Sequence, residues 1–202
     1  MTGPPRLPQL YSETAHPVQA SFLHMASRPF LTLVFAVSLP VWVSGADAPG
    51  VPNFQQVGDH IYRGAQPTAG GFDSLAKLGI RTVIDLRRGS DHEKSEQAIV
   101  ERAGMRYIHV PLGGYVAPSD EQIAKLLALL DDSAGWPVFI HCKRGADRTG
   151  TVIACYRIAH DHWTNQKALA EAKLHGMSWT ERAMQQYVLQ FHPPVGNASV
   201  AP

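Results

Sequence analysis

One stretch constrains the fold more than any other: an apolar strand that leads directly into a glycine-containing loop and then a helix. Residues 137–141 (PVFIH) are nearly all apolar, which is typical of an interior strand of a parallel sheet. Pro137 is tolerated because it takes the first strand position. Apolar positions recur at helical spacing further on and predict one buried helix face: Val152, Cys155, Tyr156, Ala159 and Trp163.

The other segments between residues 53 and 192 alternate between β-rich runs and amphipathic stretches of helix length. The predicted strands are 54–57 and 60–62, forming a hairpin, then 81–86 and 107–110. The predicted helices are 71–78, 91–103, 165–175 with a Thr164 cap, 179–190, and one from Ser119 with its end marked by Gly135. Ser119/Gln122 and Ser178/Glu181 each predict a capping box. The expected fold class is α/β, with a central, mostly parallel sheet flanked by helices.

The beginning of the chain differs from this pattern, since eight of the 15 prolines lie in the first 52 residues. Residues 25–46 are expected to form a signal peptide, with Arg28, an apolar run at 29–43 and small residues after it. The run is shorter than the ~20 residues of a membrane-spanning helix, so no stable membrane insertion is expected after cleavage. We interpret residues 1–24 as an extension before the true start, 47–52 as a linker and 193–202 as a flexible tail. A periplasmic or secreted protein is predicted.

Composition excludes several classes of protein. The 202 residues carry 18 Lys and Arg against 17 Asp and Glu, a formal net charge of +1, which argues against a nucleic acid partner. Two cysteines cannot form a disulfide framework or a four-thiolate zinc site. The histidines other than His141 show no ligand spacing, so we expect them to pack in the core or lie at the surface.

The loop after the apolar strand, residues 141–150 (HCKRGADRTG), carries the candidate chemistry. Where a strand turns into a helix, loop amides and the helix amino terminus converge and form an anion site of phosphate size. The same groups stabilise a thiolate, which predicts that Cys142 is a nucleophile. The predicted phosphate-binding residues follow it: Lys143, Arg144, Gly145, Ala146, Asp147 and Arg148.

Three further residues of this loop have predicted roles. Arg148 can curl back as a planar fork onto two phosphoryl oxygens. Thr149 is expected to hydrogen-bond the cysteine sulfur, and His141 to orient the loop from the strand end. Gly145 and Gly150 permit the backbone angles and close approach that the turn requires.

The sequence HCKRGADRTG resembles the signature of cysteine-dependent protein tyrosine phosphatases, in their compact dual-specificity branch. Residues 61–67 and 78–87 are similar to the opening hairpin and first core strand of bacterial and fungal members, and the resemblance covers about 53–190. It implies that Cys142 attacks phosphorus in line, while Arg148 and the loop amides hold the equatorial oxygens. Water then hydrolyses the phosphocysteine. No metal or cofactor is implied.

The general acid is harder to assign. The family usually supplies an aspartate from the loop after the strand that ends here at Val110, but residues 111–118 contain no carboxylate. Asp120 is one candidate, although a first-turn acid also simply complements the helix dipole. Asp147 is the other, although it can instead anchor the loop by hydrogen bonds.

Other residues have predicted places around the loop. Lys143 and Arg144 are expected to point toward the mouth of the site, and Arg87, Arg88 and Lys94 follow a strand end that should open on the same side. The alternative for the 87–94 group is a solvated charged turn. Arg63 is expected to make a structural contact, and Cys155 to be a core residue.

These residues favour a phosphomonoesterase that acts on phosphorylated proteins. An inositol polyphosphate or pyrophosphate phosphatase is the nearest alternative. A phosphate-binding module without turnover remains open because the usual aspartate is missing. A rhodanese-like sulfurtransferase is disfavoured by the Arg, Thr and Gly at 148–150.

Overall fold

The structure, a computed structural model, describes residues 47–193, without the side chains of residues 90–93. The extension predicted at 1–24, the signal peptide predicted at 25–46 and nearly all of the tail predicted at 193–202 lie outside these residues. Within the described part of the chain, no helix is both long and apolar enough to cross a membrane.

A five-stranded sheet forms the centre of the fold, in the order β1-β2-β5-β3-β4. Strand β1 pairs antiparallel with β2, and the other neighbours pair parallel. The strands are β1 (Gln55–Gly58), β2 (Ile61–Ala65), β3 (Thr82–Asp85), β4 (Arg106–His109) and β5 (Val138–Cys142). The central strand β5 is buried along its whole length, which confirms the interior strand and the mostly parallel sheet predicted from the sequence.

Helices cover both faces of the sheet. They are α1 (Ala69–Lys77), α2 (Ser90–Arg102), α3 (Asp120–Asp131), α4 (Asp147–Ala159), α5 (Asn165–Leu174) and α6 (Arg182–Gln190), with a short 3₁₀ turn at Ser133–Gly135. Successive strand residues point to opposite faces. Val83 and Phe139 therefore pack with α1 and α2, whereas Ile84 and Ile140 pack with the apolar residues of the other helices.

Local signals place most helix ends within two residues, but α3 ends at Asp131 and not at Gly135, which belongs to the separate 3₁₀ turn. The Ser119/Gln122 capping box is present at the start of α3. Thr164 caps α5 through the backbone N–H of Lys167. Helix α1 is followed by Gly79, whose φ is +81°, in the left-handed conformation that glycine adopts without strain.

The predicted start of α6 was wrong, and the predicted burial of α4 was incomplete. Helix α6 begins at Arg182 rather than at 179, and the predicted Ser178/Glu181 box does not form. Ser178 Oγ instead accepts from the backbone N–H of Thr180, and the carboxylate of Glu181 binds the distant backbone N–H of Tyr115. Helix α4 is buried beyond the predicted face, because the sheet and its neighbouring helices enclose it.

The segment before β1 also differs from its prediction as a linker. Ala48 and Val51 are buried and belong to the hydrophobic cluster on the α1 side of the sheet. The carbonyls of Gly50 and Pro52 accept hydrogen bonds from Thr68 and Ala65. The chain joins the fold by residue 48, because its apolar side chains close one edge of that cluster.

Candidate active site

Residues 143–146 connect β5 to α4, and their backbone is arranged to receive an anion. Helix α4 starts at Asp147 after Ala146, with no side chain capping it, and its first backbone hydrogen bond runs from Gly150 N–H to Ala146 O at 2.7 Å. Among the described residues, nothing accepts a hydrogen bond from the amides of residues 143–149. Amides left unpaired at a helix amino terminus are the donors that bind phosphate.

The two cysteines lie in different environments. Cys142 is the last residue of β5 and directly precedes this loop, whereas Cys155 is a buried residue in the middle of α4. Both are buried as free thiols. Burial, with a smaller contribution from Asp120, raises the pKa of Cys155, which keeps its thiol protonated. The prediction that Cys155 is a core residue is confirmed.

Gly145 is the point at which the loop is braced from β2. Its φ of +66° is left-handed, and its carbonyl accepts from Arg63 Nη2 at 2.8 Å and from Asn53 Nδ2 at 3.2 Å. Arg63 is 1% exposed, and its Nε and Nη1 make no hydrogen bond within the described chain. Burial lowers the pKa of Arg63 to about 10. The structural contact predicted for Arg63 is confirmed.

Arg148 and Thr149 lie on the first turn of α4. Arg148 is half-buried, and its Nη1 donates to the carbonyl of Leu86 at 3.3 Å. Thr149 is fully buried, and its Oγ1 has no hydrogen-bond partner among the described residues. The hydrogen bond predicted between Thr149 and the Cys142 sulfur is therefore not formed.

Asp147 uses both of its carboxylate oxygens to hold the loop. Oδ1 accepts from the backbone N–H of Ser178 at 2.8 Å, and Oδ2 accepts from Arg144 Nη2 at 2.7 Å. Hydrogen bonding to Asp147 raises the pKa of Arg144, whose side chain is exposed. Lys143 is exposed without such a partner in the described chain. The geometry favours the anchoring alternative for Asp147.

Asp120 is the first residue of helix α3 and contacts α6. Its Oδ1 accepts from the hydroxyl of Tyr187 at 2.8 Å, which joins the start of α3 to α6. It lines a groove of about 590 Å³ together with Ile123, Leu127 and Phe191. No residue of the loop 143–146 lines that groove, and among the described residues Asp120 makes no hydrogen bond to the loop.

Arg87 is not a cation at the mouth, as the sequence suggested, because two buried carboxylates neutralise it. Its Nη2 lies 2.7 Å from Asp85 Oδ2 and 2.6 Å from Glu96 Oε2. Burial opposes ionisation of Asp85, but the hydrogen bonds and charge of Arg87, with the charge of His141, outweigh it and lower the pKa of Asp85 to about 2. Of the predicted group, Arg88 and Lys94 are exposed.

His141 lies beneath the loop, in contact with the same carboxylates. Its ring stacks on Phe139, and Nε2 is 2.9 Å from Glu96 Oε1, although the ring is not aligned for a hydrogen bond. Asp85, Glu96 and His141 could each offer one ligand atom to a metal ion. The guanidinium of Arg87 already holds both carboxylates and supplies the positive charge, so the donor set fits an ion-pair network and not a metal site.

Sequence reasoning assigned no role at the site to three residues: Glu181, Tyr115 and Trp179. Glu181 is 6% exposed, and its Oε2 accepts from the backbone N–H of Tyr115 at 3.1 Å. Tyr115 has a φ of +62° and is 75% exposed, and Trp179 is 76% exposed. No local pattern links Glu181 to a residue 66 positions away, and the only available signal was the missing carboxylate at 111–118.

Comparison with known proteins gives the same picture as the geometry. A family model described as "DSP-PTPase phosphatase fused to NAD+ Kinase" matches residues 46–190. The chain is 30% identical over 137 residues to the dual specificity protein phosphatase TpbA of Pseudomonas aeruginosa, covering 68% of this chain and 60% of TpbA. It is 29% identical over 139 residues to the inositol diphosphatase DSP5 of Arabidopsis thaliana, covering 66% and 67%. The chain thus spans about three fifths of the length of TpbA.

Solved structures show the same fold. The crystal structure of P. aeruginosa TpbA matches with a TM-score of 0.61 at 28% identity, covering 73% of this chain and 89% of TpbA. The core catalytic domain of the PP-IP phosphatase SIW14 from S. cerevisiae matches with a TM-score of 0.65 at 23% identity, covering 72% and 89%, which is a likeness of fold. With the matched family model and the loop that follows Cys142, the chain belongs to the dual-specificity type of the cysteine-dependent protein tyrosine phosphatase family.

Proposed function

We propose that this protein is a phosphomonoester hydrolase that works through a phosphocysteine on Cys142. The observation that carries the proposal is the row of unpaired backbone amides at 143–149, between Cys142 and the first turn of α4. The thiolate attacks phosphorus in line, an S–P bond forms and the P–O bond to the leaving group breaks. Water then attacks phosphorus, which releases phosphate and restores the thiolate.

Hydrogen-bond donors of this chain stabilise the charge that develops on the phosphoryl oxygens. The backbone amides of residues 143–149 have no acceptor among the described residues, and the helix amino terminus adds its partial positive charge. Among the described residues, Arg148 hydrogen-bonds through Nη1 to Leu86 O, which leaves its other N–H groups for two phosphoryl oxygens. Lys143 adds a cation at the rim, and the buried His141 supports the loop from below.

We propose phosphorylated proteins as the substrate class, with phosphotyrosine included. Two exposed aromatic side chains, Tyr115 and Trp179, belong to segments hydrogen-bonded to each other through Glu181, and aromatic rims favour aromatic or apolar substrate groups. A cysteine-to-serine variant of TpbA, 27% identical to this chain, has been crystallised in complex with pTyr.

An inositol phosphate is the second candidate substrate. Exposed cations at Arg88, Lys94 and Lys143 favour it, and relatives such as the inositol diphosphatase DSP5 carry that name. Two other cations are already neutralised: Arg87 by Asp85 and Glu96, and Arg144 by Asp147. A polyphosphate therefore meets fewer free charges than the sequence predicted.

Phosphate release from three esters tests these proposals: a phosphotyrosine peptide, a phosphothreonine peptide and inositol hexakisphosphate. A separate assay of sulfur transfer from thiosulfate is the control for sulfurtransferase activity. We expect turnover of the peptides and its loss in Cys142→Ser. Cys155→Ala is the matched control, because it removes a thiol that takes no part in the reaction, and it should keep turnover. No release from any phosphate ester by the wild-type protein would favour a binding module instead.

We also propose that the protein is exported to the periplasm or secreted, with residues 25–46 as the signal peptide. The charged start, apolar run and small residues of that segment support this location. Amino-terminal sequencing of the exported protein should give Asp47 as the first residue. A first residue before Met25 would contradict both the start and the signal.

A further inference from the structure

The reaction proposed above leaves one role unassigned, the donor of a proton to the departing oxygen. An alkoxide is a poor leaving group at neutral pH, so cleavage of a phosphoserine or phosphothreonine ester needs a positioned acid. Residues 111–118, after β4, contain no carboxylate that could serve. The donor must therefore come from another segment.

Both candidates from the sequence are engaged elsewhere. Asp147 accepts one hydrogen bond on each carboxylate oxygen, from Ser178 and from Arg144, and protonation would break one of these loop contacts. Asp120 binds the Tyr187 hydroxyl at the groove between α3 and α6, and none of its hydrogen bonds in the described chain reaches the loop. Neither carboxylate is placed and free to lose a proton to substrate.

A closed ring of hydrogen bonds surrounds the mouth of the loop on the α6 side. The carbonyl of Leu86 accepts from both Arg148 Nη1 and the backbone N–H of Leu112, which ties the segment 111–118 to the phosphate-binding arginine. Three residues further on, the N–H of Tyr115 donates to Glu181. The turn that carries Glu181 returns to α4 through Ser178 N–H and Asp147 Oδ1.

Glu181 is the carboxylate that this ring holds. Its side chain is buried, Oε2 is fixed by the N–H of Tyr115, and Oε1 makes no hydrogen bond to any described residue. Tyr115, which donates this N–H, has a left-handed φ of +62°.

We propose that Glu181 is the general acid of this site, an inference that rests on the phosphatase function proposed above. In the first step the proton of its carboxylic acid passes to the leaving oxygen as the P–O bond breaks and the S–P bond forms. In the second step the resulting carboxylate takes a proton from the water that attacks phosphorus, and the S–P bond breaks. The segment 111–118 thus positions the acid through the backbone N–H of Tyr115, and the acid itself comes from another segment.

Glu181→Gln tests the assignment, because a glutamine oxygen still accepts from Tyr115 N–H but the side chain has no acidic proton. The measurement is kcat on phosphate esters whose leaving groups range from p-nitrophenol to an alkyl alcohol. We expect kcat on the alkyl ester to fall about 100-fold or more. On p-nitrophenyl phosphate, which leaves without protonation, kcat should change by less than about 10-fold.

Three controls make the outcome decisive. Glu121→Gln removes an exposed first-turn carboxylate of α3 by the same chemical change and should leave the leaving-group dependence of kcat unchanged. Asp120→Asn should also keep the wild-type dependence, whereas Asp147→Asn, which weakens the anchoring of the loop, should lower kcat on all esters by a similar factor. If Asp147→Asn instead shows the selective loss, Asp147 is the acid and the proposal is overturned.

The two proposals fail in different ways. If the wild-type protein and Cys142→Ser are equally inactive on every ester, the phosphatase function fails. If the wild-type protein is active and Glu181→Gln has the same leaving-group dependence, only the assignment of Glu181 fails. If Glu181→Gln unfolds at a markedly lower temperature, its kcat values are measured at a temperature at which the variant is folded. An unchanged leaving-group dependence there overturns the assignment of Glu181.

Discussion

Gly145 shows how one residue fixes the shape of the loop. Its φ is left-handed, and a Cβ at this position would overlap the backbone of Gly64 and Ala65 on β2. The backbone cannot move aside as the end of a flexible side chain can, and the Gly145 carbonyl is held by Arg63 and Asn53. The residue is restricted both by conformation and by space.

Replacement of Gly145 by alanine should therefore be costly. We expect Gly145→Ala to lower the free energy of unfolding by about 2 kcal/mol or more, from left-handed strain and backbone overlap. It should also displace the loop amides and reduce kcat. Urea unfolding and steady-state kinetics measure the two effects.

Gly70→Ala is the matched control for this change. Gly70 lies in α1, and nothing lies within 4 Å of the position that its Cβ would take. Alanine there should be neutral or stabilising by about 0.5–1 kcal/mol, because it reduces the freedom of the unfolded chain. Equal unfolding free energies for the two alanine variants would contradict the account of Gly145.

At the scale of elements, the start of α3 controls the segment that precedes it. Ser119 Oγ accepts from Gln122 N–H, and Gln122 Oε1 accepts from Ser119 N–H. Gln122 Nε2 also donates to the carbonyl of Pro111 at 3.0 Å, so the capping box holds both ends of the segment 111–118. The helix start and the rim of the site are stabilised together.

Ser119→Ala should lower the free energy of unfolding by about 1 kcal/mol, the usual value of a serine cap. Urea unfolding is the measurement, and Ser74→Ala is the control. Ser74 lies inside α1, where its hydroxyl donates to the carbonyl of Gly70 in the same helix, and its loss should be nearly neutral. A cap variant as stable as the wild-type protein would show that the box adds nothing.

The elements could be predicted from sequence because their signals are local. Apolar spacing, caps and glycine stops act within one or two turns, and they place β5, α3 and α5 near their observed bounds. The start of α6 was not predictable in this way. Glu181 fits a local capping box, but its carboxylate binds Tyr115, and only the folded chain brings these residues together.

The same difference between local signals and long-range contacts decides which parts of the site could be predicted. The unpaired amides after Cys142 follow from a strand–loop–helix sequence, so the anion loop could be predicted. The partners of charged side chains could not. Arg87 was expected at the mouth, and it is buried because Asp85 and Glu96 from two elements converge on it.

At the scale of the whole molecule, the polar network around Asp85 joins the layers of the fold. It links β3 to α2 through Arg87 and Glu96 and to β4 through Tyr107, whose hydroxyl donates to Asp85 Oδ2 at 2.9 Å. Glu96 approaches His141 of β5, below the loop. Ionisation of Asp85 is therefore coupled to global stability.

The unfolding free energy should depend on pH through this group. Folding lowers the pKa of Asp85 from 3.8 to about 2, so the unfolded chain binds more protons between these values. The contribution is complete above about pH 5 and is lost as the pH falls toward 2, by about 2 kcal/mol. Urea unfolding from pH 7 to pH 2 measures it.

Asp85→Asn is the variant that isolates this contribution. It should be less stable than the wild-type protein at pH 7, because Arg87 loses one of its two buried partners. The difference between the two proteins should narrow as the pH falls below 4. If the unfolding free energies of the wild-type protein and of Asp85→Asn fall in parallel from pH 5 to pH 2, Asp85 is not the source of the pH dependence.

The positions of the two cysteines have a consequence for oxidation chemistry. Cys155 lies eight residues beyond the start of α4, roughly 12 Å of helix rise, and is enclosed in the core. A disulfide requires Cα atoms within about 7 Å, so the folded chain cannot bridge its two thiols. A sulfenic acid formed on Cys142 has no resolving partner within the chain, and reversal depends on an external thiol before further oxidation to the irreversible sulfinic acid.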